Sequence, residues 1–341
     1  MLETIWFLLW GILWMVYFIL DGFDLGLGFL MPVLAKNEQE KRIIYNAMGP
    51  FWDGNEVWLI TAGGVTFAAF PKAYAVMFSG LYTALMLLLF ALIVRGVSFE
   101  FRNKVESPGW RKIWDCCLIV GSFLPALLLG VAFTNIFRGL PIDQNGVVQG
   151  NILSLLNPYG LLGGVLFVLL FAEHGALWLA YRATGELQLR SGKLAAKIWP
   201  IMVFVFVIFL AYTAVDTKLY ANYLANPVLL LVMIVPVLGL VLTRTYIGAH
   251  KWLKAWIASA LTIGGTALFG VLGIYPALLP SRLNPAYSIT IYNGASSTLT
   301  LQIMLGVVIV FLPLVIAYQF WVYKNFSFAL TPKHLKYEEA Y

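Results

Sequence analysis

The chain has 341 residues, of which 61% are hydrophobic and only 11% charged, with a mean hydropathy of +0.85. A soluble globular protein carries about 25% charged residues, so this composition excludes a soluble domain and specifies an integral membrane protein. The net charge of +6 does not indicate nucleic acid, because the basic residues lie singly or in short groups between apolar runs and read as topology signals.

Apolar runs fall at 4–34, 54–70, 73–95, 112–136, 157–182, 195–217, 227–246, 253–274 and 299–324. Most approach the ~20 residues that a membrane helix needs, which predicts nine spans. The first has no basic region before it, the first basic residue being Lys36, so it reads as a retained span and not a cleaved leader. It carries Asp21 and Asp24, three residues apart, with Gly22 and Gly26 as a small-residue pair suited to close helix packing. Trp6, Trp10 and Trp14 read as interface anchors.

The second span, the shortest, opens in the stretch GPFWDGNEVWLITAGG over Gly49 to Gly64 and is closed by Pro71. Asp53 and Glu56 repeat the three-residue spacing, which puts both carboxylates on one helix face. A charged Asp in mid-membrane costs roughly 3 kcal/mol, so such acids call for a partner, a water-filled route or a proton. For Asp53 an N-cap is the competing reading, compatible with a proton role. Arg95, at the end of the third span, reads as a structural ion pair with Glu100 or with one of the earlier acids, or else as a topology marker. Asp115 opens the fourth span beside Cys116 and Cys117, whose adjacency suits small buried thiols and no disulfide frame.

In the fifth span Glu173-His174 reads either as a relay or ligand, or as a hydrogen-bonded helix contact. The connections at 137–156 and 275–298 are loops rich in turn residues, so 1–341 reads as one membrane domain. The expected architecture is all-α: spans 1–4 and 5–8 as two four-helix bundles, with the ninth span peripheral. Eighteen of the 22 basic residues fall on one side in alternate loops, against Lys72, Arg138, Lys218 and Arg282 on the other. That bias puts the N-terminus outside and the C-terminus in the cytoplasm, so Asp21, Asp24, Asp53, Glu56 and Asp115 should converge on the cytoplasmic side.

A bis-His haem needs two imidazoles at matching depth, yet of the three histidines only His174 lies clearly in a span. Redox chemistry is therefore expected mainly in a partner, with no cofactor or metal held by this chain alone. A proton-coupled secondary transporter would also use intramembrane acids, but with broken helices meeting at mid-membrane. A scaffold whose acids serve as caps and ion pairs is the third reading.

DGFDLGLG (21–28), the Gly49–Gly64 stretch, VRGVSFEFR (94–102), WDCCLIVGSFLPALLLGVAF (114–133) and GELQLR (185–190) together resemble subunit II of the bacterial cytochrome bd-type quinol oxidases, in order along nearly the whole chain. The resemblance implies a nine-span subunit of the bacterial cytoplasmic membrane. Its partner, subunit I, would hold two haems b and one haem d, oxidise quinol on the outer side and reduce oxygen. Small single-span accessory subunits are also implied. Carried over by motif position, proton entry involves Asp53 first, then Asp24 and Asp115, with Asp21 and Glu56 as neighbours. Trp58 would stand near an oxygen entrance in members that use one, and Trp52 near a structural quinone. Glu56 stands where other members carry an amide.

Overall fold

The computed structural model describes residues 1–336; the C-terminal end assigned to the cytoplasm lies outside the described residues. Helix α1 (Leu2–Leu34) comes first, and at 1.5 Å per residue its 33 residues span about 50 Å, more than a ~30 Å hydrocarbon layer requires. Asp21 and Asp24 thus lie about 15–20 Å before its C-terminal end. A short surface helix, α2 (Glu38–Met48), follows, N-capped by Asn37, whose side chain accepts from the Glu40 amide. Next come α3 (Trp52–Ala69), α4 (Pro71–Gly80), α5 (Tyr82–Phe101) and α6 (Pro108–Arg138).

A single turn of helix, α7 (Ile152–Leu155), leads to α8 (Pro158–Arg182) and α9 (Gly185–Asp216). After the short α10 (Leu219–Ala225) come α11 (Leu230–Gly248) and α12 (Trp252–Ile274). A two-stranded antiparallel ribbon, β1 (Ala277–Leu279) with β2 (Ile289–Thr290), precedes the last helix, α13 (Thr298–Phe326).

Eight of these helices are long and apolar enough to cross a membrane: α1, α5, α6, α8, α9, α11 with the turn before it, α12 and α13. The expected second span corresponds to α3, which Asp53, Asn55 and Glu56 make too polar to join them. The expected third span, 73–95, is corrected: it is two helices, with Pro71 opening α4 and Leu81 separating α4 from α5.

Helices α1, α3, α5 and α6 pack together, and α8, α9, α11 and α12 form a second group. α1 joins the two by packing on α8 and α12 as well, while α13 touches α1 and α3 and leaves most of its apolar surface exposed. Glycine makes the α1–α8 seam possible. A Cβ on Gly26 would sit 1.7 Å from the Phe171 carbonyl oxygen, and one on Gly175 2.4 Å from the Leu27 amide nitrogen. The tryptophans expected as interface anchors are instead core residues: Trp6, Trp10 and Trp14 are buried, and the first two donate to the Leu301 carbonyl at 3.1 Å and Thr66 Oγ1 at 2.9 Å. Their indole N–H groups find partners on α13 and α3, so span 1 faces protein on nearly every side.

At the α2 end, Glu40 accepts from the Lys36 amide and from Arg190 Nη2, both at 2.6 Å, tying α2 to the start of α9. Burial opposes ionisation of Glu40, yet the Lys36 amide and the Arg190 guanidinium outweigh it and hold the carboxyl below the ordinary glutamate value.

Two outcomes follow. Gly26→Ala should force the α1–α8 seam apart and cost about 1–3 kcal/mol or more, read as a lower melting temperature of the detergent-solubilised protein. Because the folded Glu40 carboxyl titrates below its unfolded value of about 4.3, its contribution is complete above that pH and is lost as pH falls through the folded value. Acidification across that window should lower the melting temperature of the wild type more than that of Glu40→Gln.

Candidate functional site

The first helical group encloses a cluster of charge. α1 presents Asp21 and Asp24, both fully buried, toward α3 and α5. From α5, the fully buried Arg95 reaches back, with Nη2 3.1 Å from Asp21 Oδ1 and Nη1 donating to Glu56 Oε1 at 2.5 Å. Close packing on α6 holds Arg95 there, since a Cβ on Gly121 would come within 2.8 Å of the Arg95 Cβ. The Asp21 contact is an ion pair without hydrogen-bond alignment, so both Asp21 oxygens and Asp24 Oδ1 are buried with no hydrogen-bond partner among the described residues.

The Asp24 carboxylate accepts from Asn55 Nδ2 at 2.6 Å through its other oxygen, Oδ2. Asn55 itself is fully buried and accepts from Gln319 Nε2 and the Tyr323 hydroxyl of α13, each at 3.0 Å. Three carboxylates and one guanidinium therefore share an interior site. One cation balances one anion, so the remaining charge requires protons, water or a charged partner.

Asp53 lies outside this interior at the first turn of α3, exposed, on the rim of a cleft of about 410 Å³. The cleft is also lined by Trp52, Glu100, Tyr318 and Gln319. Asp53 does not cap α3; the capping position is Phe51, which has no side-chain cap bond. Glu56 is one turn further along α3 and 21% exposed, which makes it the outermost member of the cluster. Asp53, Glu56 and Arg95 thus form a short descent from surface to core.

Two expectations need correction. Arg95 pairs with Asp21 and Glu56 and not with Glu100, because five residues along a helix turn the side chain by about 140° and point Glu100 toward the cleft. Asp115 does not join the other acids. It is gripped by Lys41 Nζ at 2.7 Å and Arg102 Nε at 2.6 Å, while Arg102 Nη1 also meets Glu38 at 2.8 Å. Lys41 and Glu38 arrive on α2, so Asp115 belongs to a separate knot that pins that helix to α5 and α6. Burial, together with the Asp115 charge, pushes the Tyr45 hydroxyl above the ordinary tyrosine value, so it serves there as a donor to Asp115.

The two tryptophans are less accessible than expected. Trp52 stacks on Phe99 with ring centroids 5.0 Å apart and planes 5° from parallel, which spends one ring face. Trp58 is 6% exposed. An apolar cavity of about 920 Å³ between α3, α4, α5 and α6 is lined by Trp14, Leu59, Gly63 and Phe78, with Trp58 outside its lining.

The histidine inside a span is engaged at both ring nitrogens. His174 Nδ1 pairs with Ser259 Oγ at 2.6 Å, its Nε2 with the Ile19 carbonyl at 3.1 Å, and its ring stacks on Trp256, so it acts as a helix contact. His250 occupies a turn with positive φ, and His334 Nδ1 faces the Thr331 amide. Among the described residues no group of three or more His, Cys, Asp or Glu side chains could hold a metal ion.

Sequence reading missed Asn55, Gln319 and Tyr323. The available signal was an amide between two acids on α3 and a glutamine, Gln319, well inside the apolar last span.

The chain is similar to known proteins along most of its length. The profile of the family described as cytochrome bd terminal oxidase subunit II matches residues 2–326. The chain is 38% identical to cytochrome bd ubiquinol oxidase subunit 2 of Bacillus subtilis, covering 95% of this chain and 96% of that one. It is 36% identical to cytochrome bd-I ubiquinol oxidase subunit 2 of Escherichia coli, covering 94% and 93%. In fold it is similar to a chain in the structure of bd oxidase from Geobacillus thermodenitrificans, with a TM-score of 0.77 at 21% identity over 95% of this chain and 98% of that one.

The buried charges make a stability test. Arg95→Met should leave Asp21 and Glu56 without their cation and cost about 3–5 kcal/mol, whereas Arg95→Met with Asp21→Asn and Glu56→Gln should recover most of that loss. Thermal unfolding of the two proteins in one detergent compares them directly.

Proposed function

Since the chain belongs to the cytochrome bd terminal oxidase subunit II family, we propose that it is the companion subunit of a bacterial membrane quinol oxidase and admits the protons that oxygen reduction consumes. The observation that carries this reading is the excess of three carboxylates, the buried Asp21 and Asp24 and the partly exposed Glu56, over one buried guanidinium, reached from an exposed Asp53 beside an open cleft. An interior site with more anions than cations is a place where protons are held, and its outermost members give them a way in.

In this reading each oxygen takes four electrons and four protons to give two waters. Two quinols supply the electrons and release their own protons on the outer side. Protons drawn from the cytoplasm through this chain then make the cycle electrogenic without a pump. Subunit I would carry the two haems b and the haem d, in keeping with histidines here whose ring nitrogens are engaged or which lie off the spans.

The route we propose runs from Asp53 to Glu56 and on to Asp21 and Asp24, with Arg95 as the fixed counter-charge. Asp115 is left out of it, because two cations already hold its carboxylate. α3 supplies the ninth span, and the basic bias puts Asp53 on the cytoplasmic side of the bacterial inner membrane. A structural quinone would use Trp52 where it lines the cleft. Against a secondary transporter, α1 runs unbroken from Leu2 to Leu34 past the acids and α8 unbroken from Pro158 to Arg182.

The test is Asp24→Asn and Asp53→Asn in the purified two-subunit complex, with haem content as the control for assembly. Turnover and proton uptake from the Asp53 side should fall on the order of tenfold or more for Asp24→Asn, and by a smaller factor for the exposed Asp53→Asn. Full proton uptake in both variants would remove these acids from the route.

A further inference from the structure

Asn55 has every hydrogen-bonding position filled. Its Nδ2 carries two protons and donates to Asp24 Oδ2 at 2.6 Å and to the Leu20 carbonyl at 3.0 Å. Its Oδ1 accepts from Gln319 Nε2 and from the Tyr323 hydroxyl, both at 3.0 Å. An amide offers two donors and two acceptor lone pairs, so this one is saturated. Its orientation is fixed too, because the Leu20 carbonyl can only accept and Nδ2 must therefore face α1.

A saturated amide cannot take up a proton and pass it on. It can hold one oxygen of Asp24 still, which leaves Oδ1, buried and without a hydrogen-bond partner, as the atom that exchanges a proton. The charges acting on Asp24 are Arg95 of α5, Asp21 of α1 and Glu56 of α3; Tyr323 faces it from α13, and His174 of α8 is spent on the Ile19 carbonyl. A carboxylate at position 55 would add a fourth anion to a site that has one cation, so the residue type matters as much as its shape. Gln319 lines the cleft that Asp53 borders, so one chain of contacts leads from the cleft wall through Asn55 to Asp24.

We propose that Asn55 is a positioning residue for proton transfer: anchored by Gln319 and Tyr323 of α13, it clamps Asp24 Oδ2 and directs protonation to Oδ1. The proposal rests on the proton-entry reading above and adds to it a residue that does not itself carry the proton.

The experiment uses the complex with its partner subunit and a short-chain quinol, measuring kcat, KM for the quinol, proton uptake and haem content. Asn55→Leu should lower kcat about tenfold while KM stays within about twofold, since quinol binding does not involve this site. Asn55→Asp should also be slow. The exchange Asp24→Asn with Asn55→Asp restores one carboxylate and one amide to the facing pair and should raise kcat several-fold above Asn55→Asp alone. Wild-type kcat in Asn55→Leu overturns the proposal. If Asn55→Leu does not assemble, the exchange decides, and no recovery over Asn55→Asp overturns it. Full proton uptake in Asp24→Asn instead defeats the proton-entry reading, whereas a slow Asp24→Asn beside a fast Asn55→Leu defeats only the positioning role.

Discussion

Arg95 is the cation set among Asp21, Asp24 and Glu56, and the first helical group is built around keeping it there. A guanidinium withdrawn from water costs several kcal/mol, recovered only if its partners are close and fixed. The chain fixes them with small residues on the same helix or on the helix packed behind it. Gly121 lets α6 close behind Arg95, and Gly22 and Gly26 let α8 close behind the two aspartates. Remove that backing and the acids could turn away; the charge cluster and the glycine seams are one construction seen from two sides.

Along α5, Arg95 and Arg102 are seven residues apart, close to two turns, so they share a face at two depths. Each gathers its own carboxylates, and the two knots have opposite balances. Arg102 and Lys41 together meet Asp115 and Glu38, two cations for two anions, and the result is a closed structural tie. Arg95 alone meets Asp21 and Glu56, with Asp24 beside them, so three anions share one cation. The difference in charge count, more than depth or residue type, separates a neutral anchor for α2 from a site left with uncompensated negative charge.

Much of this was legible in the sequence, and what was not has a common cause. The spans declared themselves by hydrophobic length, and the three-residue spacing put Asp21 with Asp24, and Asp53 with Glu56, on shared faces. Rotational phase between helices is not written in any one of them. Arg95 lies near Glu100 in sequence but faces away from it, and Asp115 is claimed by Arg102, two turns on from Arg95, and by Lys41 from a surface helix that hydropathy does not register. Trp6 and Trp10 look like interface anchors by spacing, yet Leu301 and Thr66 offer them acceptors in the interior. Asn55 carries no charge, so neither hydropathy nor charge spacing marks an amide that only the approach of α13 and α1 gives four partners.

α13 shows what polar contacts can do where apolar burial cannot. Its surface is mostly exposed, and in lipid an apolar helix gains little by leaving acyl chains for other apolar side chains. Gln319 and Tyr323 meet Asn55 one turn apart, and that pair of hydrogen bonds sets the rotation of α13 in a way that greasy packing does not. Interhelical hydrogen bonds in membranes are worth about 0.6–2 kcal/mol each, enough to choose one rotation over its neighbours without making the helix immovable. The same two side chains that orient α13 end on the amide that holds Asp24. The geometry of a fully buried acid is therefore tied to the placement of the least buried spanning helix through three hydrogen bonds.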